Sequence, residues 1–410
     1  MRRKSLLIIF LSVFIDLIGF GIVLPLLPIY SERFGASDLE IGLIIASYSL
    51  MQFLFAPAWG RLSDRIGRRP VLLVSNFGSA ASYVLFAMAS LQETREALWL
   101  LLASRVFAGI CGANLSVASA YIADISPPEK RSKSMGLIGM AFGLGFIFGP
   151  ALGQFALQGF GPAGPGWVAA VICAANFGFG CLVLGESRQP GSERAARRPK
   201  LEQWAQTLRQ PTVGLLVLVY FFATFCFASF ESTFPRLLVA RSGDAILYVG
   251  YLFTYCGVLS AVIQGGLIGP LVKRLGEAKL ISLSLFAFAV GLLLLPLPGN
   301  LGWLIFALGM VSAGSALNRP PTFGLISLHT SADHQGTVLG VTQSAGSLAR
   351  IIAPIAANLL FRFHPSIPYL VCAAISALAG WVIWMQLCRR PVTPHNLGDE
   401  PDAIATRTPQ

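Results

Sequence analysis

The sequence predicts an all-α membrane protein: twelve transmembrane helices in two parallel-repeat six-helix bundles around a central cavity. Three observations carry this expectation. Of the 410 residues, 55% are hydrophobic and 12% charged, about half the charged share of a soluble domain. Apolar stretches recur at the roughly 20-residue length that a helix needs to cross a bilayer. Finally, Gly60-Arg61-Leu62-Ser63-Asp64-Arg65-Ile66-Gly67-Arg68-Arg69 sits between two apolar runs and has a degraded copy, Gly269-Pro270-Leu271-Val272-Lys273-Arg274-Leu275-Gly276, between two later ones. Gly, Leu, Arg and Gly recur in register, which points to a duplicated membrane-embedded half.

The elements follow in order. Span 1 (6–30) carries Asp16 and Leu24-Pro25; it is too long for a signal-peptide core and has no small-residue cleavage site. Spans 2 (39–59) and 3 (70–90) flank the first charged motif. Span 4 (97–121) holds Arg105, span 5 (134–158) is glycine-rich, and span 6 (167–185) closes the first block. The stretch from Glu186 to Pro211 is the one long internal polar segment. Beyond it, span 7 (212–239) is rich in phenylalanine, and its Phe234-Pro235 echoes Leu24-Pro25. Spans 8 (246–271) and 9 (279–298) flank the second copy of the charged motif. Span 10 (301–326) contains Pro320-Pro321, span 11 (336–362) has Ala353-Pro354 echoing Gly149-Pro150, and span 12 is 366–388. The 42 glycines and 25 prolines would break long soluble helices. In a bilayer, neighbouring helices satisfy the freed backbone groups and small residues allow close approach. The expected organisation is a first bundle over 1–186, a cytoplasmic linker over 187–211, a second bundle over 212–390 and a disordered cytoplasmic tail over 391–410.

Net charge is +11, but its distribution argues against nucleic acid. With the N-terminus in the cytoplasm, alternate loops hold Arg2, Arg3 and Lys4; Arg61, Arg65, Arg68 and Arg69; Lys130, Arg131 and Lys133; the basic linker; Lys273, Arg274 and Lys279; and Arg389, Arg390 and Arg407. The other side has Arg33, Arg95, Arg236, Arg241 and Arg362. This is the positive-inside pattern, and it predicts cytoplasmic termini and contact with anionic lipid. The seven cysteines all fall in or at the ends of spans without a Cys-x-x-Cys, so they read as small packing residues. His329, His334, His364 and His395 show no metal spacing, and no Gly-x4-Gly-Lys-Ser/Thr loop is present. No enzyme activity, metal or cofactor is expected.

Four motifs carry a family resemblance: Asp16-Leu17-Ile18-Gly19-Phe20-Gly21-Ile22-Val23-Leu24-Pro25-Leu26-Leu27-Pro28; the charged motif after span 2; Arg105-Val106-Phe107-Ala108-Gly109; and Gly139-x3-Gly143-x-Gly145-x3-Gly149-Pro150-x2-Gly153. The chain resembles the major facilitator superfamily, specifically its twelve-span drug:proton antiporter branch near the tetracycline-efflux type. The resemblance implies a multi-pass protein of a bacterial inner or plasma membrane, a monomer, that exports a small amphipathic compound in exchange for protons by rocking of its halves, with the proton gradient as energy source.

Asp16 lies roughly 15 Å into span 1 at 1.5 Å per residue. A carboxylate at that depth is costly unless protonated, paired or wet, so it is a candidate proton carrier; the alternative is a structural Asp held by Ser12 or Asn114. Arg105 lies at the depth of Gly19 to Gly21, where five donors can bind carbonyls of a loosened helix. An ion pair with Asp16 needs side-chain reach. The resemblance links Arg105 to proton translocation, and a plain tie between spans 1 and 4 is the other reading. Glu231, the one carboxylate within the second-half spans, is either a second proton or cation site or an outer gate residue. Arg350 sits mid-membrane and could hydrogen-bond to span 2 or touch an anionic or carbonyl-rich substrate, while Arg319 can snorkel to the surface. Asn114, Phe227, Phe230, Phe234, Asn318 and Arg350 are the candidates for lining a substrate cavity. Ordinary packing is the other account of the phenylalanines.

The gating candidates are Gly60, Asp64, Arg65, Gly67, Arg68, Asp124, Gly145, Gly149, Pro150 and Gly153. The glycines of the charged motif would allow a tight turn. By resemblance, Asp64 would sit at the N-terminus of span 11 in a pairing confined to the outward-facing state. Also by resemblance, Arg68 would pair with Asp124, and span 5 would lie against span 8 through glycines on both. The bland alternatives are a topology signal and simple close packing. Rival functions are proton-coupled uptake or facilitated diffusion of a metabolite, which predicts tolerance of Asp16→Asn, and a non-transporting receptor, for which no sensing domain is present.

Overall fold

The computed structural model describes residues 2–126, 131–187, 201–241, 246, 248–330 and 335–389. Regular structure among them is entirely helical. Twelve helices are long and apolar enough to cross a membrane. The first six are span 1 (Ser5–Arg33), span 2 (Asp38–Ile66), span 3 (Arg68–Ser90), span 4 (Ala97–Ile125), span 5 (Ser134–Phe160) and span 6 (Gly164–Val183). The second six are span 7 (Pro211–Arg241), span 8 (Val249–Leu275), span 9 (Glu277–Leu294), span 10 (Leu301–Leu328), span 11 (Gln335–Phe361) and span 12 (Ile367–Cys388). Twelve crossings start and end the bundle on one face, called here the terminal face; the other is the far face.

Breaks fall where the residues require them. Pro25 turns Leu24–Leu26 of span 1 into a tight 3-10 turn, since proline cannot donate to the helical ladder. Gly112–Asn114 does the same in span 4. Span 8 widens into a π-turn over Ile263–Leu267, which includes Gly265 and Gly266, and span 12 does so over Trp384–Cys388. Ser37 starts span 2 with a capping box, its hydroxyl accepting from the Glu40 amide while Glu40 accepts from the Ser37 amide at 2.7 Å.

One expectation needs correction. The charged motif is not a loop from Gly60 to Arg69. Span 2 continues to Ile66, Gly60 is helical with open space beside it, and span 3 begins at Arg68. The turn is Gly67 alone, at φ 106°. Polar side chains on that stretch face water while the backbone stays helical, so an apolar run ends earlier than its helix. The second copy behaves alike: span 8 runs to Leu275 and Gly276 makes the turn at φ 77°.

Packing repeats between the halves. Spans 1 and 5, 3 and 6, 3 and 4, 2 and 4, and 1 and 6 are neighbours, and adding six to each number gives the neighbours of the second half. The halves meet along spans 2 and 11 and along spans 5 and 8. Both contacts use one device. A Cβ on Gly42 of span 2 would strike the Pro354 carbonyl of span 11, and one on Gly250 of span 8 would strike the Pro150 carbonyl of span 5. Glycine here lets backbones of opposite halves touch. Towards the terminal face the halves part. The end segments Leu115–Ile125 of span 4 and Ile268–Leu275 of span 8 pack against their own halves. Gly136, Gly139 and Gly143 of span 5, and Gly265, Gly266 and Gly269 of span 8, all adjoin open space. The result is a cleft that opens at the terminal face and is roofed near the middle of the spans.

Within the expected linker, Leu201–Arg209 forms a short helix against spans 7 and 11. Residues 188–200 and the expected tail 391–410 lie outside the described residues.

Candidate functional site

The roof of the cleft gathers the ionisable residues that stood out in the spans. Asp16 hydrogen-bonds to Ser79 of span 3 and Asn114 of span 4, which turns its carboxylate inward to the first bundle; Asn114 is presented by the 3-10 turn of span 4. Arg105 is 1% exposed. Its guanidinium lies over the rings of Tyr83 and Phe86, at 5.7 and 5.6 Å, and Nε donates to Ser104 Oγ at 3.2 Å. Nη2 is buried with no hydrogen-bond partner.

The expected reach of Arg105 to carbonyls around Gly19 is not made. Tyr83 stands in the way, its ring 2.9 Å from where a Gly19 Cβ would be. No ion pair joins Arg105 to Asp16 among the described residues. Tyr48 of span 2 lies within electrostatic range of Asp16, Arg105 and, from the other half, Arg350. It packs into a notch made by Gly109 and Gly112 of span 4. Arg350 is exposed to the cleft side of span 11 and lies within electrostatic range of Glu231, whose Oε1 is buried without a hydrogen-bond partner. Asp16 and Arg105 of the first half and Arg350 of the second thus lie around Tyr48 at the roof, with Glu231 beside Arg350. Phe20 of span 1 stacks obliquely on Tyr48 at 4.9 Å and meets Phe146 of span 5 at 6.2 Å, adding an aromatic wall.

Three cavity candidates do not line this space. Phe230 and Phe234, 2% and 0% exposed, are buried against Phe253 of span 8 with ring centroids 5.9 and 5.7 Å away. They are packing residues of the second half, since an all-round apolar helix hides which face is inward. Asn318 is buried, and its amide donates to Ser284 Oγ of span 9 at 3.4 Å, a tie between helices. Phe227 is only partly buried, against Phe230. Arg319 lies over the Phe323 ring on the exposed side of span 10.

The gating candidates divide similarly. Arg68 is buried and bonded to Asp64 at 2.5 Å, Asp124 at 3.2 Å and Ser63 Oγ at 2.6 Å. The Arg68–Asp124 geometry is the one the resemblance implied. Asp64 engages Arg68 of its own half, and among the described residues no ion pair joins it to span 11. Arg65 is on the exposed side of the same turn. Glu186, a residue the sequence did not single out, accepts from the amides of Arg68 and Arg69 at 2.9 and 3.1 Å. It thereby caps span 3, lying where any Cβ on Gly67 would stand. The span 5 glycines also differ from expectation. Gly145, Gly149 and Gly153 press on Leu17, Ile18, Gly21 and Ile22 of span 1, within the first half. Span 8 is met by the opposite side of span 5, through Phe146, Ile147, Pro150 and Gln154, and the close approach there is owed to Gly250 and Gly257.

The far face is sealed by a residue counted only as a loop charge in the sequence. Arg236 of span 7 is 7% exposed. It donates to Glu32 at 3.2 Å and bonds to Asp38 at 2.8 Å, both of the first half, and to Asn358 Oδ1 at 2.9 Å; its guanidinium lies 4.4 Å from the Phe361 ring centroid. On the other flank Gln154 Oε1 accepts from the Gly250 amide at 3.0 Å. An arginine directly after Pro235 in an apolar run was the available signal.

Comparison with known proteins agrees along the chain. A sequence model described as Major Facilitator Superfamily matches residues 9–354 and 265–409. The tetracycline resistance protein of class C from Escherichia coli is 32% identical, covering 89% of this chain and 91% of its own; that of class B, also from Escherichia coli, is 31% identical over 83% and 84%. The solved structure of the human organic anion transporter MFSD10 (TETRAN) superposes with a TM-score of 0.68 at 27% identity, covering 93% of this chain and 99% of that one.

Proposed function

This chain belongs to the Major Facilitator Superfamily, and we propose that it exports a small amphipathic compound in exchange for protons by alternating access. It is an integral multi-pass membrane transporter, not an enzyme. The observation that carries the finer reading is the roof of the cleft, where Asp16, Arg105, Tyr48, Glu231 and Arg350 converge from both halves at mid-membrane depth. The excess of Lys and Arg on the terminal side supports a cytoplasmic terminal face, on which reading the cleft is open to cytoplasmic substrate. A compound enters between Arg350, Tyr48 and the Phe20–Phe146 wall while Asp16 is ionised. Its weight of contacts bridges the halves, the Arg236 seal parts, and the far face opens. A proton from outside then neutralises Asp16, loosens the bound compound and returns with the carrier. Arg105, stacked beneath, changes partners as Asp16 loses charge. A proton entering gains about 2.3 kcal/mol per 100 mV, enough to hold a neutral compound at a roughly fifty-fold gradient.

The likeness to tetracycline resistance proteins makes tetracycline the first compound to try. The exposed Arg350 favours a substrate with an anionic or carbonyl-rich group, so an aromatic organic anion is the second, in line with the human organic anion transporter. The test is proton release from everted vesicles on adding each compound. Wild type is expected to give a compound-dependent signal, and Asp16→Asn none. Substrate accumulation without proton movement, or full activity of Asp16→Asn, would replace exchange with uptake or facilitated diffusion.

A further inference from the structure

Spans 9 and 12 leave a groove of about 390 Å³ on the outer side of the second half, lined by Leu283, Phe286, Trp381, Trp384 and Arg389. It lies at the terminal-face end of span 12 and is remote from the cleft, because spans 9 and 12 pack on each other and on their own half. Its walls are oily and aromatic, and its mouth is cationic. The π-turn Trp384–Cys388 packs on span 9, and the Arg389 amide closes that turn on the Trp384 carbonyl at 3.2 Å. Lys279, exposed at the start of span 9, lies within electrostatic range of Cys388, the residue before Arg389. Neither cation forms an ion pair among the described residues. Glu277, the nearest acid in sequence, turns away to span 10, where Gly324 lies against its carboxylate.

The duplication supplies a comparison. At the matching corner of the first half, between spans 3 and 6, the cation is met in part from within the protein, although Arg69 Nε is buried without a hydrogen-bond partner. Arg69 donates to the Cys181 carbonyl at 2.8 Å, and Glu186 caps the helix start. The second half keeps the positive charge, and among the described residues no acid caps that corner as Glu186 does. Tryptophans at headgroup level and cations between spanning helices together fit a lipid whose tail is apolar and whose head is acidic.

We propose that this groove binds an anionic phospholipid of the leaflet at the terminal face. Its acyl chain lies along Leu283, Phe286 and Trp381, with its phosphate between Arg389 and Lys279 and Trp384 beside the headgroup. A zwitterionic lipid brings its own cation to the same two cations and is disfavoured, by about fivefold for each. The site is independent of the transported compound.

The test uses the full chain in nanodiscs, with tryptophan fluorescence read while phosphatidylcholine is replaced by phosphatidylglycerol or phosphatidylcholine brominated near the headgroup end of the acyl chain. Brominated phosphatidylglycerol is expected to quench more at equal mole fraction. That excess should vanish in the K279Q/R389Q variant, whose elution and melting stay as in wild type, and should shrink in W381F/W384F. Equal quenching by both lipids, an excess that persists in K279Q/R389Q, or displacement by millimolar inorganic phosphate would overturn the proposal. So would an excess that appears only after deleting residues 391–410, which would make the chain's own tail the occupant.

Discussion

Asp16 and Arg236 differ in how they are held, and that difference separates their expected phenotypes. Asp16 keeps neutral hydrogen-bond partners, Ser79 and Asn114, so Asp16→Asn should preserve the fold and bind substrate while losing proton release. Arg236 sits between two carboxylates of the opposite half. Removing it leaves Glu32 and Asp38 crowded and unpaired across the seal, and Arg236→Gln should raise the far-face-open population by at least about tenfold. Spin labels on Leu39 and Phe363 would read this as a longer distance. Arg105→Lys keeps the charge but loses the planar stack on Tyr83 and Phe86, an expected loss of about 0.5–2 kcal/mol in melting experiments. At this scale the sequence disclosed charges well and aromatics poorly. Asp16, Arg105, Glu231 and Arg350 were visible because an ionisable group among apolar ones has to be explained. Tyr48, Phe20 and Phe146 were not, and for Phe230 and Phe234 cavity lining and ordinary packing both stayed open, because a ring in a membrane helix looks alike whether it faces a cleft, a neighbour or lipid.

Span 5 shows how one helix serves two contacts with different sets of small residues. Gly145, Gly149 and Gly153 hold it to span 1, while Gly136, Gly139 and Gly143 adjoin the open cleft. A methyl at Gly149 would meet Gly21 backbone atoms at 2.7 and 2.8 Å, so Gly149→Ala should cost about 1–3 kcal/mol of stability, visible as a lower melting temperature. Gly143→Leu and Gly266→Leu should leave melting unchanged and slow transport, since their space fills only when the terminal face closes. If both slow nothing, spans 5 and 8 do not close there. The glycine motif was plain in the sequence, but its division between faces was not, because a helix with seven glycines offers no contrast from which to read direction. The span count was legible from hydropathy alone, whereas the end of span 2 was not, since Arg61, Asp64 and Arg65 continue a helix that the apolar pattern leaves at residue 59.

Across the whole molecule, the pairing of spans in one half maps onto the other, as the echoes of charged motif, Leu24-Pro25 and Gly149-Pro150 suggested. Each half carries a closed set of neighbours, so fragments 1–190 and 191–410 expressed together should associate and restore transport. Recovery of both in a pull-down by a tag on the first would show it, and failure to associate would mean the connection itself is needed. For the proposed alternating access, the repeat also suggests where the carrier would pivot. The two glycine-on-proline contacts, Gly42 on Pro354 and Gly250 on Pro150, stand on opposite flanks of the pseudo-two-fold, near the far-face starts of spans 2 and 8, and would serve the proposed rocking as the two bearings of an axle. In the rocking proposed above, points on either side of such a line would swing in opposite senses, so parting Arg236 from its acids would bring Gly143 and Gly266 together in the same stroke. A carrier so hung would have no posture that is agape at both ends, and its tightness to leak would be a matter of leverage before any lock is engaged.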